Sequence, residues 1–217
     1  MRPFNLKKNL PVRGISEVTT ELRQLLNSAP ASFRESYVPW APSVPQEACK
    51  EARLFGNRRE MLASLVSPGT EVIEVGTQTG KWARVILDDI KPAKLHVVDI
   101  DWSQFDNQLF QKHEPIVIHD GKSWEILETF PNNHFDLIYI DASHEENHVR
   151  LDANVSIRKI KQDGILIFND YTTWSPYEVA PYGVLKVVNE ILVSGEWKIA
   201  GFALHPWGFH DIALIRK

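Results

Sequence analysis

From residue 70 onward, short and mainly apolar runs alternate with longer stretches whose apolar residues recur at helical spacing. The apolar runs are Thr70–Val75, Leu95–Val98, Ile116–Ile118, Phe135–Ile140 and Ile165–Phe168, rich in Val and Ile. Runs without polar alternation predict strands covered on both faces, as in a parallel sheet packed between helices. The intervening stretches predict helices over about 79–90, 102–112, 122–130 and 145–161. In the last of these, Val149, Ala153, Ile157 and Ile160 form one stripe, with Asp152 and His148 assigned to the solvated side. Strand–helix alternation predicts right-handed βαβ units in an α/β, doubly wound, Rossmann-like sheet. The end of the chain departs from it. A helix over about 180–193 is followed by two strand-like runs, Trp197–Leu204 and Asp211–Ile215. The turn-rich His205-Pro206-Trp207-Gly208 joins them, which predicts an antiparallel hairpin.

The first 45 residues read differently, with prolines at 3, 11, 30, 39, 42 and 45. One amphipathic helix is expected over about 16–27, with Ser16 as N-cap and Val18, Leu22, Leu25 and Leu26 on one side. Tyr37 and Trp40 fall in an aromatic loop. Residues 1–45 are taken as an N-terminal arm or lid and 46–217 as one domain. A helical stretch over roughly 46–66, broken near Gly56-Asn57, is expected to open that domain.

Composition narrows the function classes. With 24 basic against 28 acidic residues, a net charge of −4 and no basic run, neither a nucleic acid nor an anionic membrane is expected as partner. Cys49 is the single cysteine, so an internal disulfide and a multi-thiolate zinc site are excluded. No apolar segment approaches the ~18 residues needed to span a bilayer, and no apolar stretch follows the basic first residues. The expectation is a cytoplasmic protein. Because an arm of this kind often packs on a neighbour, a homo-oligomer is kept open.

Chemistry concentrates where the predicted strands end. Val72-Ile73-Glu74-Val75-Gly76-Thr77-Gln78-Thr79-Gly80 closes the first strand and opens a helix, the place where a doubly wound sheet binds ligands. Gly76 allows the tight turn and backbone approach by a ligand, and Gly80 allows close helix–strand packing. The middle glycine of the dinucleotide fingerprint is absent, since Gln78 follows Thr77. Glu74 would repel a diphosphate, but it can accept from the ammonium of a methionine moiety or steady the loop. Asp99, at the end of the second strand, can take both hydroxyls of a ribose, whereas Asp101 is the better candidate to cap the helix near 102. After the third strand comes Gly121-Lys122-Ser123-Trp124. Ser123 there is placed at an adenine edge and Trp124 on its face, with a plain helix cap as the other reading. The candidate cofactor set is Glu74, Gly76, Thr77, Gln78, Gly80, Asp99, Ile100, Gly121, Lys122, Ser123 and Asp141, and the expected cofactor is S-adenosylmethionine (SAM).

The glycine loop, Asp99, the Gly121-Lys122-Ser123 turn, Phe135–His144 and Asp163–Tyr171 occur in one order and spacing. Together they resemble class I SAM-dependent methyltransferases, in particular small-molecule O-methyltransferases of the antibiotic sugar branch. The catechol and caffeoyl-CoA enzymes are more distantly similar. The resemblance covers roughly residues 56–217. It implies a parallel sheet ended by a hairpin, methyl transfer to a small-molecule hydroxyl and, in metal-dependent members, a magnesium site. The ligand positions implied here are Asp141, Asn169 and Asp170, all hard oxygen donors. Three positions depart from the pattern. Asn169 stands where the sugar branch has an acid, Asp163-Gly164 replaces two glycines, and Lys122 stands where an acid is common.

In such a reaction the protein must align the acceptor and remove its proton. Asp141 and His144 are the catalytic candidates, with His144 as general base and a helix cap as its plainer reading. Tyr171, Trp174 and Tyr177 are read as substrate walls or as packing under a loop. Two other classes are weighed. A nicotinamide oxidoreductase needs the missing glycine fingerprint and a second half-domain. A non-catalytic SAM-binding or interaction protein would not need Asp141, His144 and Asp170. Within the methyltransferases, a metal-independent N-methyltransferase is the alternative.

Overall fold

The computed structural model describes residues 19–21, 23–25, 27–30 and 40–217, and the chain divides into two units, Met1–Val38 and Pro39–Lys217. In the first unit the described residues 19–21, 23–25 and 27–28 are helical and Leu25 is exposed. Ser16, Val18, Leu22, Leu26 and Tyr37 lie outside the described residues.

The second unit is built on an eight-stranded sheet. In chain order its elements are α1 (Gln46–Cys49), β1 (Arg53–Phe55), α2 (Arg58–Leu65), β2 (Glu71–Val75), α3 (Lys81–Ile90), β3 (Lys94–Asp99) and β4 (Ile116–Asp120). There follow α4 (Ser123–Glu128), β5 (Phe135–Ile140), α5 (Glu146–Lys159), β6 (Ile160–Phe168) and a two-stranded ribbon of β7 (Trp174–Ser175) with β8 (Ala180–Pro181). Last come α6 (Val184–Val193), β9 (Trp197–Ala203) and β10 (Asp211–Arg216). The spatial order is β1-β9-β10-β6-β5-β2-β3-β4. Strands β2 to β6 run parallel, and β10 pairs antiparallel with both β6 and β9. This is the expected Rossmann-like sheet ending in a hairpin. Its order reverses between β2 and β5, so the carboxyl ends of those strands flank the switch-point crevice.

The strand sequences explain the layering. Successive residues face opposite sides: Ile73, Val75, Ile138 and Ile140 join α4, α5 and α6 on one face. Val72, Leu137 and Tyr139 join α2 and α3 on the other. The carbonyl of Pro42 accepts from Asn189 Nδ2 of α6 at 2.7 Å, which ties the segment after Pro39 to this domain. Among the described residues no helix is long and apolar enough to cross a membrane.

Five sequence-based expectations need correction. The helical stretch over 46–66 is interrupted by β1, whose partner is the distant β9. The helix expected over 102–112 is a loop with a single 3-10 turn at Asn107–Leu109. There Asp101 and Asp106 accept from the amides of Ser103 and Gln108, and such local bonds compete with a helix. Asp101 therefore caps a turn and no helix. Helix α5 ends at Lys159, because Ile160 already pairs with Phe135 as the first residue of β6. Asp152 is 1% exposed, so it belongs to the buried side of α5.

Candidate functional site

The turn after β2 takes its shape from backbone conformations that few residues adopt. Gly76 has φ +87°, and an added Cβ would lie 2.1 Å from the carbonyl oxygen of Asp141. The glycine is thus required by the neighbouring strand end rather than by a ligand. Gly80, at φ +79°, would drive a Cβ into the rings of Phe105 and Phe110, so it makes room for the loop after β3 rather than for a strand. Gln78 and Asp170 are non-glycine residues in the left-handed region, with φ of 46° and 54°. Such strain costs of order 1–3 kcal/mol per residue and tends to gather at functional sites.

Ten of the eleven expected cofactor residues line one cleft of about 720 Å³ at this edge, and only Gly80 sits behind it. Asp99 Oδ2 accepts from the Gln78 amide at 2.7 Å. Its Oδ1 accepts from the amides of Ile100 and Asp101 at 2.7 and 3.0 Å. This leaves Oδ2 as the oxygen with acceptor capacity to spare. Glu74 is fully buried. One of its oxygens accepts from Thr77 Oγ1 at 3.1 Å and steadies the turn, while Oε1 has no hydrogen-bond partner in the protein. Burial, followed by the charge of Asp141, pushes the Glu74 carboxyl well above its usual range. Ile100 and Lys122 are exposed at the cleft rim.

At the Gly121–Ser123 turn, Ser123 does not present a free hydroxyl. It is buried and donates to Asp152 Oδ1 at 2.5 Å. Trp124 stacks on His148 with ring centroids 5.5 Å apart, and Ser143 Oγ lies 3.0 Å from His148 Nδ1. His148 therefore lines the cleft instead of facing only solvent. Burial lifts the Asp152 carboxyl to about 6, above the ordinary unfolded value near 3.9. Between those values the folded protein holds the extra proton, so Asp152 costs stability as pH rises from about 4 through 6. Asp152→Asn is accordingly expected to gain on the wild type over that interval, by on the order of 1–3 kcal/mol in urea denaturation. Parallel pH–stability curves for the two proteins would refute this.

Beyond β5 and β6 lies an acidic pocket. Asp141 and Asp170 line the cleft. His144 Nε2 sits between them, 3.9 Å from Asp141 Oδ1 and 3.4 Å from Asp170 Oδ2, buried and without a hydrogen bond. The ring stacks on Tyr182 at 4.2 Å, and burial lowers its pKa, so at neutral pH it is an uncharged base. Helix α5 begins only at Glu146 with Glu145 as N-cap, so His144 is no cap. Asn169 Nδ2 donates to Asp211 Oδ1 at 3.1 Å, which leaves its carbonyl oxygen for other use. Burial raises the carboxyls of Asp170 and Asp211 to about 6 and carries Asp141 upward too.

Sequence reasoning missed three members of this pocket. Arg58 of α2 donates to Tyr139 Oη at 3.2 Å, lies 3.7 Å from Asp141 Oδ2 and packs over the Trp82 ring at 4.0 Å. Burial alone would lower its pKa, but the Tyr139 hydroxyl oxygen and the carboxylates of Asp211 and Asp141 hold it above the usual guanidinium range. Tyr139 Oη in turn donates to Asp211 of the terminal hairpin. Arg58 and Asp211 lie in no recognisable local motif, and Tyr139, inside the Phe135–His144 run, reads there as one more strand position. Of the aromatic candidates, Tyr171 donates its hydroxyl to Asn189 and packs under the loop. Tyr177 borders the smaller cleft adjoining the acidic pocket.

Residues 73–171 match the family model of a methyltransferase domain. An O-methyltransferase of Aspergillus hancockii, hkm8, is 28% identical over 52% of this chain and 48% of its own length. The chain thus spans about half or less of the curated relatives it matches. Among solved structures, a ribosomal protein L11 methylase of Lactobacillus delbrueckii is similar with a TM-score of 0.52. It is 20% identical, over 75% of this chain and 81% of that one. MycE methyltransferase of the mycinamycin pathway, in complex with Mg, SAH and mycinamycin VI, has a TM-score of 0.50. It is 16% identical, over 72% of this chain and 47% of its own.

Proposed function

We propose that this chain, which resembles the class I SAM-dependent methyltransferases in both fold and sequence, transfers a methyl group from SAM to a hydroxyl of a small molecule. The observation that carries the reading is the acidic lining of the switch-point cleft. Glu74, Asp99, Asp141 and Asp170 border it together. Such a lining favours a sulfonium and an ammonium and disfavours a diphosphate. The likeness to an O-methyltransferase supports a hydroxyl acceptor.

SAM supplies an electrophilic methyl group, and the chain's residues arrange the rest. Asp99 Oδ2 accepts from the ribose, and the unpartnered Glu74 Oε1 is the acceptor for the amino-acid ammonium. The backbone of the Gly121–Ser123 turn faces the adenine. His144 Nε2 takes the proton of the acceptor hydroxyl, and the mostly buried pocket keeps that imidazole neutral beforehand. The donor set also suits a magnesium ion. Asp141, Asp170 and the free carbonyl oxygen of Asn169 are hard ligands, and the excess of buried carboxylates over the one guanidinium calls for a cation. Magnesium held there would lower the pKa of the hydroxyl and fix its position.

Calorimetry with SAM and with its demethylated product tests the reading. We expect micromolar binding of both, with Asp99→Ala weakening it about 5–150-fold, equivalent to roughly 1–3 kcal/mol for unmade charged hydrogen bonds. Turnover should fall on chelation and return with magnesium. No heat with either compound, together with clear binding of NAD, would overturn the assignment. Turnover of an amine that a chelator leaves untouched would favour the N-methyltransferase alternative.

A further inference from the structure

A second constellation lies on the same sheet, away from the cleft. Glu71 opens β2 and His134 immediately precedes β5, both at the amino-terminal edge of the sheet and opposite the glycine turn. His96 Nε2 is 2.9 Å from Glu71 Oε1, and His134 Nε2 is 3.5 Å from the same oxygen. These three ligand atoms lie within 4.8 Å of one another. Tetrahedral zinc with bonds of ~2.0–2.2 Å sets its ligand atoms about 3.3 Å apart, so the two measured separations are close to those of a preformed half-shell. His96 is buried, whereas Glu71 and His134 are partly exposed, so an ion has a path in.

The surroundings fix the imidazoles. His96 Nδ1 is 2.8 Å from His119 Nε2, and Phe130 and Phe135 meet the His96 ring edge-to-face at 4.9 and 5.7 Å. With the proton on Nε2 the ring donates to Glu71 Oε1; with the proton on Nδ1, directed at His119, Nε2 turns a lone pair toward that oxygen and is available to a cation. A metal-bound histidine held by its other nitrogen has this second-shell pattern. Lys94 Nζ, 3.8 Å from Glu71 Oε1, is about half exposed and free to swing into solvent.

We infer that Glu71, His96 and His134 form a site for a borderline divalent transition metal of the zinc class, with water completing the tetrahedron. Two imidazoles and one carboxylate select zinc, cobalt or nickel over magnesium, so the site is chemically distinct from the oxygen set at the other edge. Bridging β2, β3 and the entry to β5, it would act as a structural clasp.

The test is zinc titration of the purified full-length chain by calorimetry, with cobalt(II) absorption as a report on geometry. Wild type is expected to bind one ion per chain at micromolar concentration or tighter and to give tetrahedral cobalt bands. His134→Ala, a partly exposed position whose folding is checked by circular dichroism, should weaken zinc at least tenfold. His119→Phe should weaken it about 10–100-fold through His96, and Asp170→Asn should leave it unchanged. Absence of saturable zinc binding, or equal binding by wild type and folded His134→Ala, would overturn the site.

Discussion

Replacing His144 with glutamine is expected to slow methyl transfer by about 10²–10⁴-fold, the usual contribution of a positioned general base, while leaving SAM affinity within twofold. The imidazole lies in the cleft between Asp141 and Asp170 and stacks on Tyr182. In the proposed reaction it removes the acceptor's proton, so kcat should carry the loss. A pH profile separates this from a packing defect. Burial holds the imidazole below its ordinary value, so the acid limb of wild-type kcat/KM should fall below pH 6.5, and the variant should lose that ionisation from the limb while those of Asp170 and Asp211 near 6 remain. The measurement is made on whichever hydroxyl compound the wild type methylates. A variant within threefold of wild type, with the acid limb intact, would remove His144 from the chemistry.

Gly76→Ala should produce the largest loss of stability. Two costs combine at this position. The left-handed conformation, φ +87°, penalises any Cβ by roughly 1–2 kcal/mol. The added carbon would also stand 2.1 Å from the Asp141 carbonyl and 2.5 Å from Ala142 Cα, backbone atoms that cannot rotate aside. Overpacking of this kind adds typically 1–3 kcal/mol or more. Because the displaced backbone carries Asp141, SAM binding should fail together with stability. Gly69→Ala is the control: its φ is +76° but nothing lies within 4 Å of the new Cβ, so only the conformational cost applies. Urea denaturation should separate the two variants by at least about 1 kcal/mol. Equal midpoints would mean that the strand end yields easily and that Gly76 is no keystone of the site.

Asp152 illustrates how a helix can be misread. Positions 149, 152, 153 and 156 fall on one face of α5 by helical spacing, and all four are buried. Residue 152 falls three positions after Val149 and beside Ala153, at the border of the apolar stripe. Its residue type argued for solvent, and only the hydroxyl of Ser123 across the α4–α5 contact reconciles the two. The loop after β3 shows the opposite failure. Its aromatic spacing suits a helix, but Trp102, Phe105 and Phe110 pack on one another and over Gly80. Aspartates meanwhile satisfy the backbone locally.

What the chain declares by itself is whatever depends on neighbours in sequence. Strands buried on both faces are apolar at most positions, so β2, β3, β5 and the end of β6 are visible as runs, and the more exposed edge strand β4 shows by its Ile116-Val117-Ile118. A turn that needs positive φ must hold glycine, and the acids that follow strand ends travel with those strands. Hence the sheet, the switch point, Asp99, Asp141 and Asp170 were legible. Contacts between distant segments leave no such mark. The three residues of β1 acquire their strand only from β9. Arg58, Tyr139 and Asp211 come from a helix, a central strand and the terminal hairpin, and they meet only when the sheet closes. Glu71, His96 and His134 converge for the same reason: β5 lies beside β2 in space, although β3 and β4 come between them in the chain. Burial then decides which carboxyls hold their protons, a property no residue carries until its surroundings have excluded water.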